Sequence, residues 1–447
     1  TAVYILDKLK AGAGLSGDAL LLDSFATTWV KKGWRLEIDS QGTAILVRGE
    51  GIRGTRAEQT KETELELFTN RFMSIAENMG ALLQRTALSV NIKERLDFSC
   101  ALLDADGRLV ANAPHIPVHL GGLGVCVREL LKHYEFEEGD ILLTNHPKYG
   151  GSHLPDLTMV SPVFHEGKRL AFVVNRAHHG EIGGISPGSM PPAAENLQQE
   201  GVVIAPFYLL KRGEADWEGI RRILLDYPYP TRAVEENLAD INAALAANRY
   251  GSEAFLSLIE EHGAKKVLHY LDELRNYASS RMRDTLRKFT DGTYEALEYL
   301  DDGSAIRVSM ELKDGRCVID FTGSAAVNAS NMNATEAIVK SVSIYVLRLL
   351  LDEAIPLNDG LMEPVELILP TGMLNPVFED DPELCPAIVG GNVEISQRLT
   401  DTILKAFGIV AASQGTMNNT LFGNDKFAYY ETVCGGCGAG QGFDGAS

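Results

Sequence analysis

The stretch GGSHLPDLTMVSPVFHEGKRLAFVVNRAHHGEIGG, residues 150–184, predicts both a local fold and a site. Two apolar runs, LTMVSPVF (157–164) and RLAFVV (169–174), are joined by the turn sequence HEGK, which is typical of neighbouring strands. Polar side chains stand where these runs end: His153 and Asp156 before the first, His178 and His179 after the second. The sequence therefore predicts two strands that bring four possible metal ligands to one place.

These four side chains form a candidate metal site. His153 and Asp156 are separated by two residues, so one tight turn can aim both inward. Adjacent residues of a strand point to opposite faces, so at most one of His178 and His179 should reach a given metal, and we favour His178. Imidazole nitrogen with carboxylate oxygen suits Zn²⁺, Mn²⁺ or Fe²⁺ and does not suit Ca²⁺. The alternative is a pair of loop histidines with a turn aspartate that caps backbone amides.

A hard metal site also favours a further carboxylate. Asp97 lies at the head of the hairpin sequence DFSCALLDADGRLV (97–110) and is the first candidate. Its alternative role is that of a simple turn residue between helix and strand. Glu181 is the second candidate, better suited to orienting an imidazole than to binding the metal itself.

Three further segments have mixed interpretations. NAPHIPVHLGG (112–122) carries His115 and His119 and predicts either a substrate contact or an ordered loop packed on the core. IGGISPGSMPP (182–192) is a loop that either lines a site or only connects. VGGNVEISQRLTD (389–401) and AASQGTMNNTLFGND (411–425) crowd amides such as Asn392 and Gln414 into apolar surroundings, for substrate recognition or for a structural network.

Composition excludes several classes of protein. A formal net charge of −20 argues against a nucleic-acid or anionic-membrane partner. The apolar stretch 337–351 is interrupted by Lys340 and Arg348 and is too short to span a membrane, and no signal peptide is visible. The six cysteines are scattered, which fits free thiols in a reducing compartment. The sequence contains no GxxxxGK[ST] motif, so it does not predict a nucleotide site. The prediction is a soluble, cytoplasmic protein, and the absence of an initiator Met suggests a piece of a longer polypeptide.

The order of predicted elements indicates the fold class. Residues 1–50 predict a small β-rich unit with strands ALLLD, TTWV, WRLEID and TAILVR, and 51–62 a polar linker. Helices are predicted over 62–88, 232–248, 252–289, 333–352 and 394–412, and strands over 293–322. Hairpins interleaved with long helices predict an α+β fold of mixed sheets.

Taken together, the motifs resemble the hydantoinase B/oxoprolinase family over about residues 57–447. Residues 1–50 separately resemble the C-terminal end of a hydantoinase A half, as in the fused oxoprolinase branch. His146 fits that branch, because many hydantoinase B sequences have Asp there. The resemblance divides the rest into a metal-site region (63–290) and a second α+β region (291–447) truncated at its C-terminus. It is carried by ERLDFSCAL, HIPVHLGG, GGSHLPDLT, HHGEIGGISPGSMPP, DFTGS, IPLNDG, VGGNVEISQR, ASQGTMNN and the YYET tail.

The resemblance implies an ATP-dependent opening of 5-oxo-L-proline to L-glutamate, with ATP and Mg²⁺ bound by a hydantoinase A-like half of the same polypeptide. This chain would supply the metal-dependent hydrolysis of the phosphorylated lactam and would form a homo-oligomer. Alternatives are an N-methylhydantoinase- or caprolactamase-type cyclic amidase, an acetone carboxylase-like subunit, or a non-catalytic scaffold. The implied roles are metal binding for Asp97, His153, Asp156 and His178, catalysis for His179 and Glu181, and substrate binding for His119, Asn392 and Gln414.

Overall fold

The computed structural model describes residues 2–24, 26–48, 61–113, 115–119, 121–188, 190–353, 355–423 and 428–446. The chain divides into two compact units, Thr1–Glu64 and Leu65–Ser447. Residues 51–60 of the predicted linker lie outside the described residues. None of the helices in the described ranges is long and apolar enough to cross a membrane.

The first unit contains two three-stranded sheets, ordered β1-β3-β4 and β2-β5-β6. Alternate residues of β3 and β5 are buried, among them Leu21, Leu36 and Ile38, and they form a small apolar core. The four strands predicted for residues 1–50 match β3 to β6. The strands are β1 (Ala2–Ile5), β2 (Gly14–Ser16), β3 (Ala19–Leu22), β4 (Thr27–Val30), β5 (Trp34–Ile38) and β6 (Ala44–Arg48).

The second unit mixes sheets with long helices, which confirms the α+β prediction. Its elements in the described residues are α1 (Lys61–Thr86), α2 (Val90–Lys93), β7 (Phe98–Asp104), β8 (Leu109–Asn112), α3 (Gly122–His133), β9 (Ile141–Thr144), β10 (Asp156–His165), β11 (Lys168–His178), α4 (Leu197–Glu200), β12 (Phe207–Lys211), β13 (Glu214–Ala215), α5 (Trp217–Leu225), α6 (Val234–His262), α7 (Ala264–Leu286), β14 (Gly292–Tyr299), β15 (Ala305–Lys313), β16 (Arg316–Asp320), α8 (Glu336–Leu349), β17 (Val365–Ile368), α9 (Ser396–Phe407), β18 (Asn418–Gly423) and β19 (Ala428–Val433).

An antiparallel seven-stranded sheet, ordered β13-β12-β9-β10-β11-β7-β8, forms the centre of this unit. The strand β7 is buried on both faces, so its successive residues enter different cores. Cys100 and Leu102 contact a core that includes α6. Ala101 and Leu103 contact a second core that includes α3 and α8. Residues on both sides of position 290 share this second core, and the division into 63–290 and 291–447 stays a prediction.

The hairpin of β10 and β11 carries the candidate ligands. Its register places Asp156 opposite His178 at the end farthest from the turn. The register shifts once on the way: Phe164 faces Arg169, whereas Val163 faces Ala171, so Leu170 is an extra residue in β11. Such a β-bulge moves all later pairs by one position.

The predicted break between the two long helices was wrong. We expected it near residues 249–251, but α6 continues to His262, and the chain turns at Gly263, where φ is +82°. Gly251 lies inside α6, and the residue is glycine because a Cβ there would come within 2.4 Å of Sδ of Met79. That glycine serves close packing of α6 against α1 and does not end the helix. The predicted helix 394–412 also ends earlier, at Phe407.

Candidate metal centre

Three side chains converge where β10 begins and β11 ends. One ligand atom each from His153, Asp156 and His178 can be chosen so that all three atoms lie within 4.8 Å of one another. All three side chains are buried. In the cross-strand pair, Asp156 and His178 share one face of the sheet, and His153 joins them from the preceding turn.

The turn aims two ligands at the same point. The backbone N–H of Asp156 donates to the carbonyl of His153 at 3.1 Å, which closes the turn. Nδ1 of His153 then lies 2.9 Å from Oδ2 of Asp156. Nδ1 of His178 lies 3.4 Å from the other carboxylate oxygen, Oδ1. The two imidazole rings are 4.9 Å apart between centroids, close enough to share one ion.

Two atoms of this cluster are buried without a hydrogen-bond partner among the described residues: Nδ1 of His153 and Oδ1 of Asp156. The 2.9 Å approach of Nδ1 to the carboxylate therefore lacks hydrogen-bond alignment. Burying a polar atom without a partner costs about 1–3 kcal/mol, so such atoms need an explanation. A divalent ion held by these two imidazoles and this carboxylate would satisfy both atoms, and the donor set fits Zn²⁺, Mn²⁺ or Fe²⁺.

The Asp156 carboxylate is surrounded by donors. The Ser152 hydroxyl donates to Oδ2, and Nε2 of His119 lies 3.2 Å from the same oxygen. Ser99 Oγ lies 3.0 Å from Nδ1 of His119, on the far side of that ring. Burial by itself would raise the pKa of Asp156, but His153 and His119 outweigh it and hold the pKa well below its usual range. The group is therefore an anion ready to bind a cation.

A buried arginine supports the same site, and the sequence reading missed it. Arg176 is fully buried on the same face of β11 as His178. It donates to the carbonyl of Gly150 at 2.7 Å and lies 3.4 Å from the hydroxyl of Ser152. The guanidinium thus holds the loop that carries the candidate ligands. Its positive charge also compensates the buried negative charge of Asp156. The sequence feature that could have revealed Arg176 is its position two residues before His178 in an otherwise apolar strand, which places both side chains on the same face.

Asp97 lies beside the cluster. Its carbonyl accepts from the backbone N–H of His178 at 3.0 Å, and its Oδ2 lies 3.5 Å from Nδ1 of that histidine. Its side chain is 31% exposed, so it faces open space as well as the cluster. Burial alone would lower the pKa of His178, but the carboxylates of Asp97 and Asp156 outweigh it and raise the pKa. Metal binding by Asp97 stays a prediction.

A cavity of about 410 Å³ opens onto the cluster. Five predicted site residues line it: Asp97, His119, His153, His178 and Asn392. Nδ2 of Asn392 lies 3.4 Å from Nε2 of His153, although the two are 239 residues apart in the chain. The remaining lining residues were not singled out, although all but Arg95 lie in the segments 112–122, 182–192, 389–401 and 411–425 that were considered for a site: Arg95, Ile116, Val118, Met190, Val393 and Met417.

The two predicted catalytic residues, His179 and Glu181, are not among the residues that line this cavity. His179 turns toward α6, where its Nδ1 lies 3.1 Å from Nδ2 of Asn237, and burial lowers its pKa to about 4. Glu181 accepts from the Thr231 hydroxyl at 2.7 Å and from the Arg232 guanidinium at 2.8 Å. These contacts fasten the end of β11 to the segment before α6.

Gln414, the third predicted substrate contact, is exposed. Its amide donates to the carbonyl of Thr416 at 2.6 Å. It is not one of the residues lining the 410 Å³ cavity, and its role in binding stays a prediction.

Comparison with known proteins finds one matching family model, similar protein sequences and a similar solved structure. A family model for hydantoinase B/oxoprolinase matches residues 61–447. The whole chain aligns with 37% of the length of 5-oxoprolinase 1 from Arabidopsis thaliana, at 41% sequence identity. It aligns with 35% of the length of 5-oxoprolinase from Dictyostelium discoideum, at 39% sequence identity. The crystal structure of an ATP-dependent caprolactamase from Pseudomonas jessenii is similar with a TM-score of 0.74 at 25% identity, over 83% of this chain and 66% of that one. The chain thus spans little more than a third of the two 5-oxoprolinases.

Proposed function

Because the chain belongs to the hydantoinase B/oxoprolinase family, we propose that it supplies the hydrolytic part of an ATP-dependent opening of 5-oxo-L-proline to L-glutamate. The observation that carries the proposal is the buried cluster of His153, Asp156 and His178, with two unpartnered atoms, beside a cavity of about 410 Å³. The identity with 5-oxoprolinases of two organisms supports the choice of substrate.

The reaction needs two kinds of chemistry. A five-membered lactam is a resonance-stabilised amide with a poor leaving group. In our proposal a hydantoinase A-like half of the same polypeptide, with ATP and Mg²⁺, phosphorylates the carbonyl oxygen and so turns that oxygen into a leaving group. The present chain then adds water to the activated carbon, and the ring nitrogen leaves after it gains a proton, which gives an acyl phosphate. A second water hydrolyses this acyl phosphate to L-glutamate and inorganic phosphate.

His153, Asp156 and His178 would hold a divalent metal, with Asp97 as a proposed fourth ligand. A bound Zn²⁺, Mn²⁺ or Fe²⁺ lowers the pKa of a coordinated water and polarises the substrate. His119 and Asn392 line the cavity and are proposed to contact the lactam. Catalysis by His179 and Glu181 stays a prediction, and in our proposal their contacts with Asn237, Thr231 and Arg232 give them a supporting role that holds the end of β11 against α6.

The test uses the full-length polypeptide with ATP and 5-oxoproline. Glutamate release and ATP hydrolysis are measured for the wild type and for His153→Ala, together with metal content. We expect His153→Ala to lose metal and glutamate release while ATP hydrolysis continues. A His153→Ala protein that binds no metal and still opens the ring at the normal rate would show that the metal is not catalytic.

Two further measurements narrow the proposal. The chain of residues 1–447 by itself should give no ATP-dependent turnover, because the nucleotide site is assigned to the A-like half. The similarity to the caprolactamase favours a second candidate substrate, a neutral lactam. Faster turnover of caprolactam than of 5-oxoproline by the full-length protein would favour that candidate. The cytoplasmic location and the homo-oligomeric state stay predictions, open to fractionation and sedimentation.

A further inference from the structure

Glu200 is a buried acid outside the metal cluster, at the end of α4. Its side chain is almost fully buried, and Oε1 accepts from the backbone N–H groups of Ile388 and Val389, each at 2.7 Å. Its second oxygen, Oε2, has no hydrogen-bond partner among the described residues. Burial raises the pKa of Glu200 to about 8, although the two N–H groups oppose the shift. Glu200 therefore holds the backbone of residues 388–389 through one oxygen, which accepts from both N–H groups.

The backbone that Glu200 holds leads directly to the site. Beyond Val389, the N–H of Gly390 donates to the carbonyl of Asn331 at 2.9 Å. A Cβ on Gly391 would come within 2.2 Å of the carbonyl of Asn333, so only glycine allows this approach. The turn is held between Glu200 on one side and the 331–333 segment on the other. A single π-helical turn, Gly391–Ile395, follows and joins α9.

Asn392 is the residue that this turn presents. It is 9% exposed, it lines the cavity, and its amide lies 3.4 Å from Nε2 of His153. Nδ1 of the same ring faces Asp156, so the Asn392 amide meets the other nitrogen. A metal on Nδ1 leaves the proton on Nε2, which would donate to Oδ1 of Asn392, the amide atom without a hydrogen-bond partner among the described residues, once that amide is turned by 180°. Such a bond fixes the ring's orientation and tautomer. Asn392 is thus placed to orient a ligand, and its own position depends on the turn before it.

We propose that Glu200 is a positioning residue, which holds residues 388–391 so that Asn392 reaches His153 and the cavity. The inference rests on the proposed function of this cavity as a metal-dependent hydrolytic site. It assigns Glu200 an effect on metal affinity and turnover without any contact with metal or substrate. A carboxyl that only stabilises the fold would have no such dependence on Asn392.

The experiment is a double-mutant cycle in the full-length protein, with Mn²⁺ affinity as the first measurement and kcat/KM for 5-oxoproline as the second. Glu200→Ala and Asn392→Ala should each weaken Mn²⁺ binding about 10-fold or more, the range seen when a partner of a ligand is removed. The double variant should bind no more weakly than the weaker single variant. Glu200→Gln, the matched control, keeps an acceptor oxygen and should bind within about 2-fold of the wild type.

Independent effects would overturn the inference: losses that multiply in the double variant, or a Glu200→Gln protein as impaired as Glu200→Ala. Should Glu200→Ala not fold, Glu200→Met fills a similar space without an acceptor and takes its place. Mn²⁺ affinity is measured without substrate, so it judges Glu200 even if 5-oxoproline is not turned over. In that case only the proposed function fails.

Discussion

His178 and His179 are neighbours in the chain, yet they end on opposite faces of the central sheet. On one face, His178 meets two carboxylates, and its pKa is raised. On the other, His179 meets α6, and burial lowers its pKa to about 4. β11 ends at His178, and the next residue already points to the other side of the sheet. Residue type therefore says little about function here until the face is known.

The two faces also differ in the kind of buried polar group they contain. On the α6 face, Asn248 accepts from Asn175 at 2.8 Å and donates to Ser161 at 3.0 Å. On the cavity face, Nδ1 of His153 and Oδ1 of Asp156 lack a hydrogen-bond partner among the described residues. Oδ1 of Asn175 on the α6 face is also buried without a partner, so the cavity face is set apart by what its unpartnered atoms are: an imidazole nitrogen and a carboxylate oxygen, which bind metals, beside a cavity.

Alanine substitution of each histidine in turn is the strongest test of the difference between the two faces. His178→Ala should weaken divalent metal binding at least about 100-fold, because even indirect partners of ligands contribute 10–100-fold. His179→Ala should keep the metal affinity within a few-fold, since its ring faces α6. Metal titration against a competing chelator measures both. Equal losses in the two variants would mean that the faces are not functionally distinct.

The α6 face predicts an effect on stability and none on metal binding. Asn248→Ala should lower the free energy of unfolding by about 2–3 kcal/mol, because Asn175 and Ser161 lose a buried partner. Asn78→Ala, on an exposed position of α1, is the matched control and should change it by less than about 0.5 kcal/mol. Urea denaturation gives the free energy, and chelator titration gives the metal affinity. A loss of metal affinity in Asn248→Ala would connect the two faces.

A smaller effect is expected from His146, a buried histidine outside the cluster whose pKa is lowered like that of His179. Burial, with help from Lys148, lowers the pKa of His146 to about 4, against about 6.5 in an unfolded chain. The unfolded chain therefore binds the proton first, so stability is full above pH 6.5 and is lost as the pH falls toward 4. From pH 7 to 5 the free energy of unfolding should fall about 1–2 kcal/mol further in the wild type than in His146→Asn.

His146→Asn suits this test because Asn can also accept from the backbone N–H of Lys148, as Nδ1 of His146 does at 3.2 Å. Urea denaturation at several pH values measures the difference. Parallel pH curves for the two proteins would show that His146 is not held neutral.

Local pattern predicted much of this molecule, and long-range contacts account for what it missed. The hairpin, the turn carrying His153 and Asp156, and the preference for His178 follow from spacing within thirty residues. The contact of Asn392 with His153 joins residues 239 positions apart, and that of Glu200 with Val389 joins residues 189 apart. No periodicity reports such pairs, because they depend on how finished elements pack. The helix break at Gly263 was missed for a related reason, since Gly251 is required by Met79 on another helix.

The extra residue Leu170 in β11 has a consequence for how such a site arises. Had the pairing continued from the turn without the bulge, Asp156 would face Ala177 instead of His178. Every side chain beyond that point would then change faces, and His178 would be directed toward α6. One inserted residue, eight positions from His178, thus decides whether the three side chains of the candidate metal site can meet. A hairpin of this kind can gain or lose a catalytic site by a single insertion or deletion, with every ligand still encoded.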